Sequence, residues 1–294
     1  MPARFVRVRS PYLVPFDGGF RVRQAPTSSP RQARERGANE QALEDAVERM
    51  RKLQSRLLAN DRKSLLVVFQ ALDAAGKDGT IKAVMSGINP AGCEVHSFKK
   101  PSEDELDHDF LWRVYQRVPE RGRIGIFNRS HYEEVLVVKV HPEILGSQRL
   151  PDLPSVKALW KERYESIREF EKHLARNGTT IVKFFLNVSK DEQKKRFLER
   201  IDDPEANWKF QAGDVRERQQ FGRYLAAYQN ALNETSRPWA PWYAVPADDK
   251  AFLRRTVAEI LVGTLEQMDL HYPVASREEQ LAMAATKKAL QAEP

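Results

Sequence analysis

Residues 64–82 constrain this chain more than any other stretch. Residues 64–70 (SLLVVFQ) form a continuous apolar run rich in β-branched residues, preceded by Asn60-Asp61-Arg62-Lys63. That is how a strand buried on both faces reads. The run leads into Ala71-Leu72-Asp73-Ala74-Ala75-Gly76-Lys77-Asp78-Gly79-Thr80-Ile81-Lys82, a small-residue turn that opens a helix. A phosphate-binding loop needs this context. Small residues let backbone N–H groups wrap phosphate oxygens, the helix N-terminus adds its positive end, and Lys77 adds a full charge. The pattern G-x-x-x-x-G-K-[ST] is missed twice: Ala71 replaces the first glycine, and Asp78 replaces the hydroxyl that would ligate Mg2+. A tight turn with a surface lysine is the plainer alternative. Against it, Asp73 and Asp78 flank Lys77 with the hard oxygens Mg2+ prefers. A carboxylate in an anion cradle repels phosphate unless a cation sits between them, so Asp73 points to a metal-bridged phosphate.

Further strands are expected at 95–98, 124–127, 180–186 and 242–245. Helical patterns are expected at 38–60, about 80–88, 103–117, 155–176, 189–201, 214–234 and 248–268, with a short helix in the tail. Alternation of this kind predicts an α/β fold with a parallel sheet between helices. Prolines at 2, 11, 15, 26 and 30 mark 1–37 as a loop-rich arm.

A second constellation follows the strand at 124–127: Asn128-Arg129-Ser130-His131-Tyr132-Glu133-Glu134. Ligands of open α/β sheets bind at the carboxyl ends of strands. An aspartate usually ends this strand and helps hold Mg2+; here Asn128 offers only a neutral oxygen. Arg129 is placed to clamp phosphate with its fork. Taken alone, a capped loop explains this stretch equally well. Beyond it, Lys194, Lys195, Arg196 and Arg200 lie on a helical stretch, with Arg196 and Arg200 on one face. In P-loop kinases a helical lid sits at about this distance, bringing arginines over the phosphate and excluding water. Gly213 reads as its hinge and Trp208 as lid packing. Pro246-Ala247-Asp248-Asp249-Lys250 reads either as a nucleotide contact or as a helix cap. Lys99 and Lys100 fall on the same sheet edge. His96, His108, His131 and His141 show no metal-ligand spacing.

Composition narrows the class. The chain has 294 residues and a formal net charge of +7, and 41% of its residues are hydrophobic. It is long enough for a substantial core. No uncharged apolar run approaches the roughly 20 residues that span a bilayer, and Met1–Arg9 precede no apolar stretch, so neither a membrane partner nor a secretory signal is expected. The single cysteine, Cys93, rules out a disulfide within the chain. A cytoplasmic location is the expectation. The positive charge alone fits nucleic acid, an anionic membrane, a polyanionic substrate or no partner at all; no DNA- or RNA-reading motif accompanies it, so nucleic acid is not expected as a partner.

These blocks resemble the polyphosphate kinase type 2 family: FQALDAAGKDGTIKAVMSGINPAGCEVHSFKKPSEDELDHDFLWR at 69–113, GRIGIFNRSHYEEVLVVKVHPEIL at 122–145, KKRFLERIDDPEANWKF at 194–210 and PWYAVPADDK at 241–250. The resemblance runs from about residue 40 to 270. It implies a P-loop kinase fold, a five-stranded parallel sheet with a helical lid. Its bounds would be a kinase domain over 38–272 with the lid at about 194–214, and a tail over 273–294. It implies Mg2+-dependent, reversible phosphoryl transfer between inorganic polyphosphate and nucleotides, with Mn2+ as an alternative metal. Asp73, Lys77 and Asp78 match the first loop; Asn128, Arg129 and Ser130 the second motif; Arg196, Arg200 and Lys209 the lid. The implied catalytic set is Asp73, Lys77, Asn128, Arg129, Arg196 and Arg200, with Asp73 and Asn128 on the metal. The implied binding set is Ala74, Ala75, Gly76, Asp78, Gly79, Thr80, Lys82, Lys99, Ser130, Tyr132, Glu133 and Lys209. Diphosphate-specific members typically have aspartate at the Asn128 position. Asn128 with Tyr132-Glu133-Glu134 therefore looks like the subgroup converting AMP and ADP to ADP and ATP, with GMP and GDP as further acceptors. A dimer or tetramer is implied. The alternative is an ATP-dependent small-molecule or nucleoside monophosphate kinase.

Overall fold

The apolar run at 64–70 becomes the central strand of a five-stranded sheet. The computed structural model describes residues 5–33, 35–150, 155–205, 207–209 and 212–293. In chain order the elements are α1 (Arg36–Asn60), β1 (Ser64–Ala71), α2 (Lys77–Val84), β2 (Cys93–Ser97), α3 (Glu103–Leu106), α4 (Trp112–Tyr115), β3 (Ile124–Asn128), α5 (Val137–Val140), α6 (Val156–Arg176), β4 (Thr179–Asn187), α7 (Lys190–Asp202), α8 (Ala212–Gln219), α9 (Phe221–Thr235), β5 (Trp242–Pro246), α10 (Lys250–Gln267) and α11 (Arg277–Gln291). The sheet order is β2-β3-β1-β4-β5, and every pairing is parallel. Leu65 pairs with Ile124 on one side of β1 and Thr180 on the other. Leu65 through Phe69 are all buried, which explains their unbroken apolar character. Helices α1, α2 and α10 pack together, and α5, α6 and α9 form a second group.

Two expected helices are split. The 103–117 pattern divides into α3 and α4, where Asp109 Oδ1 accepts the Leu111 N–H and turns the chain. The 214–234 pattern breaks at Gln220, whose backbone leaves helical geometry. The helix expected from about 80 starts earlier, so Lys77 is its first residue. The arm is tied down: Val14 and Val22 are buried, and Val14 N–H donates to Trp242 O along the open edge of β5. By contrast α11 buries none of its residues.

Lys183 interrupts the apolar strand β4 yet is fully buried. Its ammonium donates to Glu171 Oε2 (2.6 Å), the Tyr132 hydroxyl (2.8 Å) and Thr235 O (2.9 Å), using all three protons. The Tyr132 hydroxyl in turn donates to Glu171 Oε1 (2.8 Å). Burial pushes the Glu171 carboxyl up, but Lys183 and His131 outweigh it and hold it below 4.5. Its stabilising share is thus complete above pH 4.5 and is lost as the pH falls further. Lys183→Met leaves that carboxylate buried without its cation and should cost about 3–5 kcal/mol in urea unfolding. Lys183→Met with Glu171→Leu should recover most of the loss; no recovery would refute the pairing.

Candidate active site

The phosphate loop is shaped by backbone first. Strand β1 carries Ala71 as its last residue, so no glycine is needed there. The left-handed backbone comes instead at Ala74, which adopts φ 59°, and at Gly76, at φ 95°. A left-handed alanine costs about 1–2 kcal/mol and persists only where its surroundings determine it. Two left-handed residues just before a helix N-terminus are the kind of backbone that gathers N–H groups around an anion.

Lys77 opens α2 beside Asp73, Asp78, Glu133 and Arg129. Burial, then Arg129, lowers its ammonium pKa. Burial likewise raises the Glu133 carboxyl, although Arg129 and Lys77 pull it down. Arg129 follows β3 with φ 63°, its N–H donating to Phe69 O. This kink directs its guanidinium toward Asp73 (3.4 Å) and Glu133 (3.8 Å). Asn128 Nδ2 donates to Asp78 Oδ1 (2.7 Å), which leaves the amide oxygen as an acceptor. The structure therefore gathers Asp73, Lys77, Asp78, Asn128, Arg129 and Glu133 at the carboxyl edge of β1 and β3.

Other sequence-predicted residues have different surroundings. Tyr132 is fully buried and committed to Glu171 and Lys183, so it presents nothing to a ligand. Ser130 is buried, and its hydroxyl accepts from Gln70 Nε2 and the Tyr132 N–H, capping the turn His131–Val135. The Thr80 hydroxyl donates to Gly76 O (2.9 Å) inside the first turn of α2. At Gly79 a side chain would meet Arg254 Nη2 at 3.3 Å. Lys82 is exposed in the last turn of α2. Lys99 is exposed at the rim of a cavity described below. Arg200 lies over the Phe197 ring. Lys209 ends the short turn Asn207–Lys209; its side chain falls outside the described residues.

Arg196 differs most from expectation. It is buried, with Nη1 donating to Ala74 O (3.1 Å) and Ala75 O (2.9 Å). Nη2 donates to Ala247 O (2.7 Å) and Asp248 O (3.0 Å), and Nε to Glu192 Oε1 (2.9 Å). All five guanidinium N–H groups are committed, so Arg196 holds the loop and has none left for phosphate. Gln193, one turn earlier on the same face, donates to Asp73 O (2.9 Å). The spacing to Arg196 was the only signal for it. The first half of the expected lid is thus a fixed support, while Trp208, expected as packing, is 74% exposed.

Two cavities meet at this cluster. One, of about 450 Å3, is lined by Asp73, Gln193, Gly213, Glu217, Arg218 and Tyr224 among others. The other, of about 500 Å3, is more apolar, with Phe98, Phe110 and Val114 on its walls and Lys99, Lys100 and Arg113 beside them. Arg129 and Glu133 line both. Glu134 also lines the second cavity, but its carboxylate is bound to Arg163 (2.6 Å) and to Gln148.

Among the described residues no group of three His, Cys, Asp or Glu side chains is arranged to hold a metal. Mg2+ in phosphoryl-transfer sites is held by one or two carboxylates plus substrate phosphates. Asp73 and the Asn128 amide oxygen fit that requirement, since neither is locked in an all-protein cage.

The parallel sheet, the loop and the arginine at the end of β3 define a P-loop kinase. The family model Polyphosphate kinase 2 (PPK2) matches residues 33–273, and the chain belongs to that family. It is an enzyme, a phosphotransferase that works on polyphosphate. It is 56% identical over 245 residues to an ADP-polyphosphate phosphotransferase of Rhodopseudomonas palustris, covering 82% of this chain and 85% of that one. It is 48% identical over 240 residues to an AMP/ADP-polyphosphate phosphotransferase of Meiothermus ruber, covering 81% and 86%. The crystal structure of polyphosphate kinase 2 from Arthrobacter aurescens TC1 superposes with a TM-score of 0.81 at 35% identity, covering 96% of this chain and 95% of that one. Family phosphotransferases generally need a divalent metal. Among the described residues, no helix is long and apolar enough to cross a membrane.

Proposed function

We propose that this chain transfers phosphoryl groups reversibly between inorganic polyphosphate and both AMP and ADP, with Mg2+ as the metal. One observation carries the reading: Arg129 and Glu133 form a wall common to two cavities, directly beside Lys77 and Asp73. A donor and an acceptor lying on either side of one arginine can exchange a phosphoryl group without a further binding step. The apolar cavity with Phe98 and Phe110 suits the nucleoside end of the acceptor. Polyphosphate would lie along the 71–79 loop and Arg129.

The attacking atom is an acceptor phosphate oxygen, already ionised at neutral pH, so no general base is needed. Catalysis is positioning plus charge neutralisation. The oxygen attacks the terminal donor phosphorus as the P–O bond to the shortened chain breaks, and the leaving phosphate keeps the electron pair. Lys77 and Arg129 neutralise the equatorial oxygens; Arg196 keeps the loop carbonyls turned away from them. Asp73 and the Asn128 amide oxygen would hold the divalent metal, which would supply further charge neutralisation. Glu133 keeps Arg129 aligned between the two substrates.

Steady-state rates with AMP, ADP, GMP and GDP, each with long and short polyphosphate, test this reading. Turnover of both AMP and ADP supports it; turnover of ADP alone contradicts the dual assignment. Asn128→Asp adds a carboxylate beside Asp78 and should shift the AMP-to-ADP ratio of kcat/KM by about tenfold. Equal change for both acceptors would show that Asn128 plays no part in the choice.

A further inference from the structure

The segment 25–28 of the N-terminal arm lies far from β1 in sequence, yet a chain of hydrogen bonds connects it to the phosphate loop. Asp248 is the junction. Its Oδ1 accepts the Ser189 N–H at the start of α7 (2.7 Å), and its Oδ2 accepts the Ser28 hydroxyl (3.1 Å). Its own N–H donates to Thr27 O (2.9 Å), and its carbonyl accepts from Arg196 Nη2 (3.0 Å). Asn187, at the end of β4, donates through Nδ2 to Ala25 O (3.2 Å) and Pro26 O (3.1 Å), and its own carbonyl accepts the Ala247 N–H (3.0 Å). The arm therefore fixes the carbonyls of Ala247 and Asp248. Those carbonyls orient one nitrogen of the Arg196 guanidinium, and its other nitrogen holds Ala74 O and Ala75 O. A planar guanidinium transmits orientation from one edge to the other.

We propose that Asp248 and arm residues 25–28 are positioning elements of the phosphate loop, acting through Arg196. The left-handed Ala74 is the reason such a device is needed: that backbone is unfavourable for alanine and must be imposed from outside. The helix-capping work at this turn is done by the neighbour, Asp249, which accepts the N–H groups of Ala251 and Phe252. The edge-covering work is done by the earlier arm, where Tyr12 O and the Val14 N–H bond to β5. Neither duty accounts for the four bonds of Asp248.

The inference rests on the reading of 71–79 as the phosphate loop, and the test separates the two. Hydrogen exchange of peptides covering 71–80 is measured without substrate, beside kcat and KM for AMP with polyphosphate. In Asp248→Ala, exchange in 71–80 should quicken about fivefold while exchange in β3 is unchanged. The value of kcat should fall about tenfold or more, with KM for AMP within about twofold. Asp248→Asn keeps an acceptor for Ser189 and a partner for the Ser28 hydroxyl, so it should restore most of both. Ser28→Ala, at an exposed position, carries the same test at about half the effect should Asp248→Ala fail to fold. Unchanged exchange in 71–80 overturns the coupling. Faster exchange with unaltered kcat overturns the positioning role. An inactive parent enzyme with faster exchange in the variant would sink the functional reading and leave the coupling standing.

Discussion

Replacing Lys77 with methionine should lower kcat by about 10²–10³-fold while the protein stays folded. Lys77 begins α2 immediately after the left-handed Gly76, so its charge adds to the helix N-terminus at the point where phosphate oxygens gather. Its ammonium is desolvated and close to Arg129, and both effects lower its pKa. A cation under that burden is stabilised when a polyanion arrives and most of all when charge spreads over the transferring phosphoryl group. Methionine removes the interaction and also the desolvation cost, so thermal stability should not fall. Arginine should not rescue, because a planar fork replaces a point charge in a space shaped by Asp73, Glu133 and Arg129. Activity of Lys77→Met within about threefold of the parent would remove Lys77 from the mechanism.

Asp73→Asn should be nearly as damaging, with kcat lower by about 10²–10³-fold at ordinary metal concentration. The backbone of Asp73 is held by Gln193, so the amide should occupy the same place as the carboxylate. What changes is charge. Asp73 now has two duties, as partner of Arg129 at 3.4 Å and as the proposed metal ligand. They separate in a metal titration. Loss of a ligand moves half-saturation to higher Mg2+ and lets excess metal recover part of the rate. Loss of the arginine anchor alone lowers the rate at every metal concentration. The expected result is the shift; an unchanged metal dependence would show that Asp73 serves only Arg129.

The parts legible in the sequence were those where burial or backbone chemistry leaves a linear pattern. Strand β1 reads clearly because both faces are covered, and Gly76-Lys77 reads clearly because it follows that strand. The left-handed residue at Ala74 left no mark, since alanine carries no preference for it. Arg196 shows why charge on a helix face is ambiguous. Sequence gives its face, but the carbonyls that face meets come from loops more than 50 residues away in both directions. Tyr132 entered the binding set through the resemblance alone, and its place in the core depends on partners distant in sequence. The corrective cue was Lys183, a charge inside TTIVKFFLN that had to find buried partners. The breaks at 107–111 and at Gln220 contain neither glycine nor proline, so no breaker residue marks them in the sequence.

The central claim is that polyphosphate, and not ATP, is the donor to a nucleotide held beside Arg129. The most direct measurement is ADP formation from AMP by the purified chain with Mg2+, supplied in turn with polyphosphate and with ATP. Rapid ADP formation with polyphosphate, lost in Lys77→Met, is the predicted result. ADP formation only when ATP is supplied would contradict it and return the chain to the nucleoside monophosphate kinases.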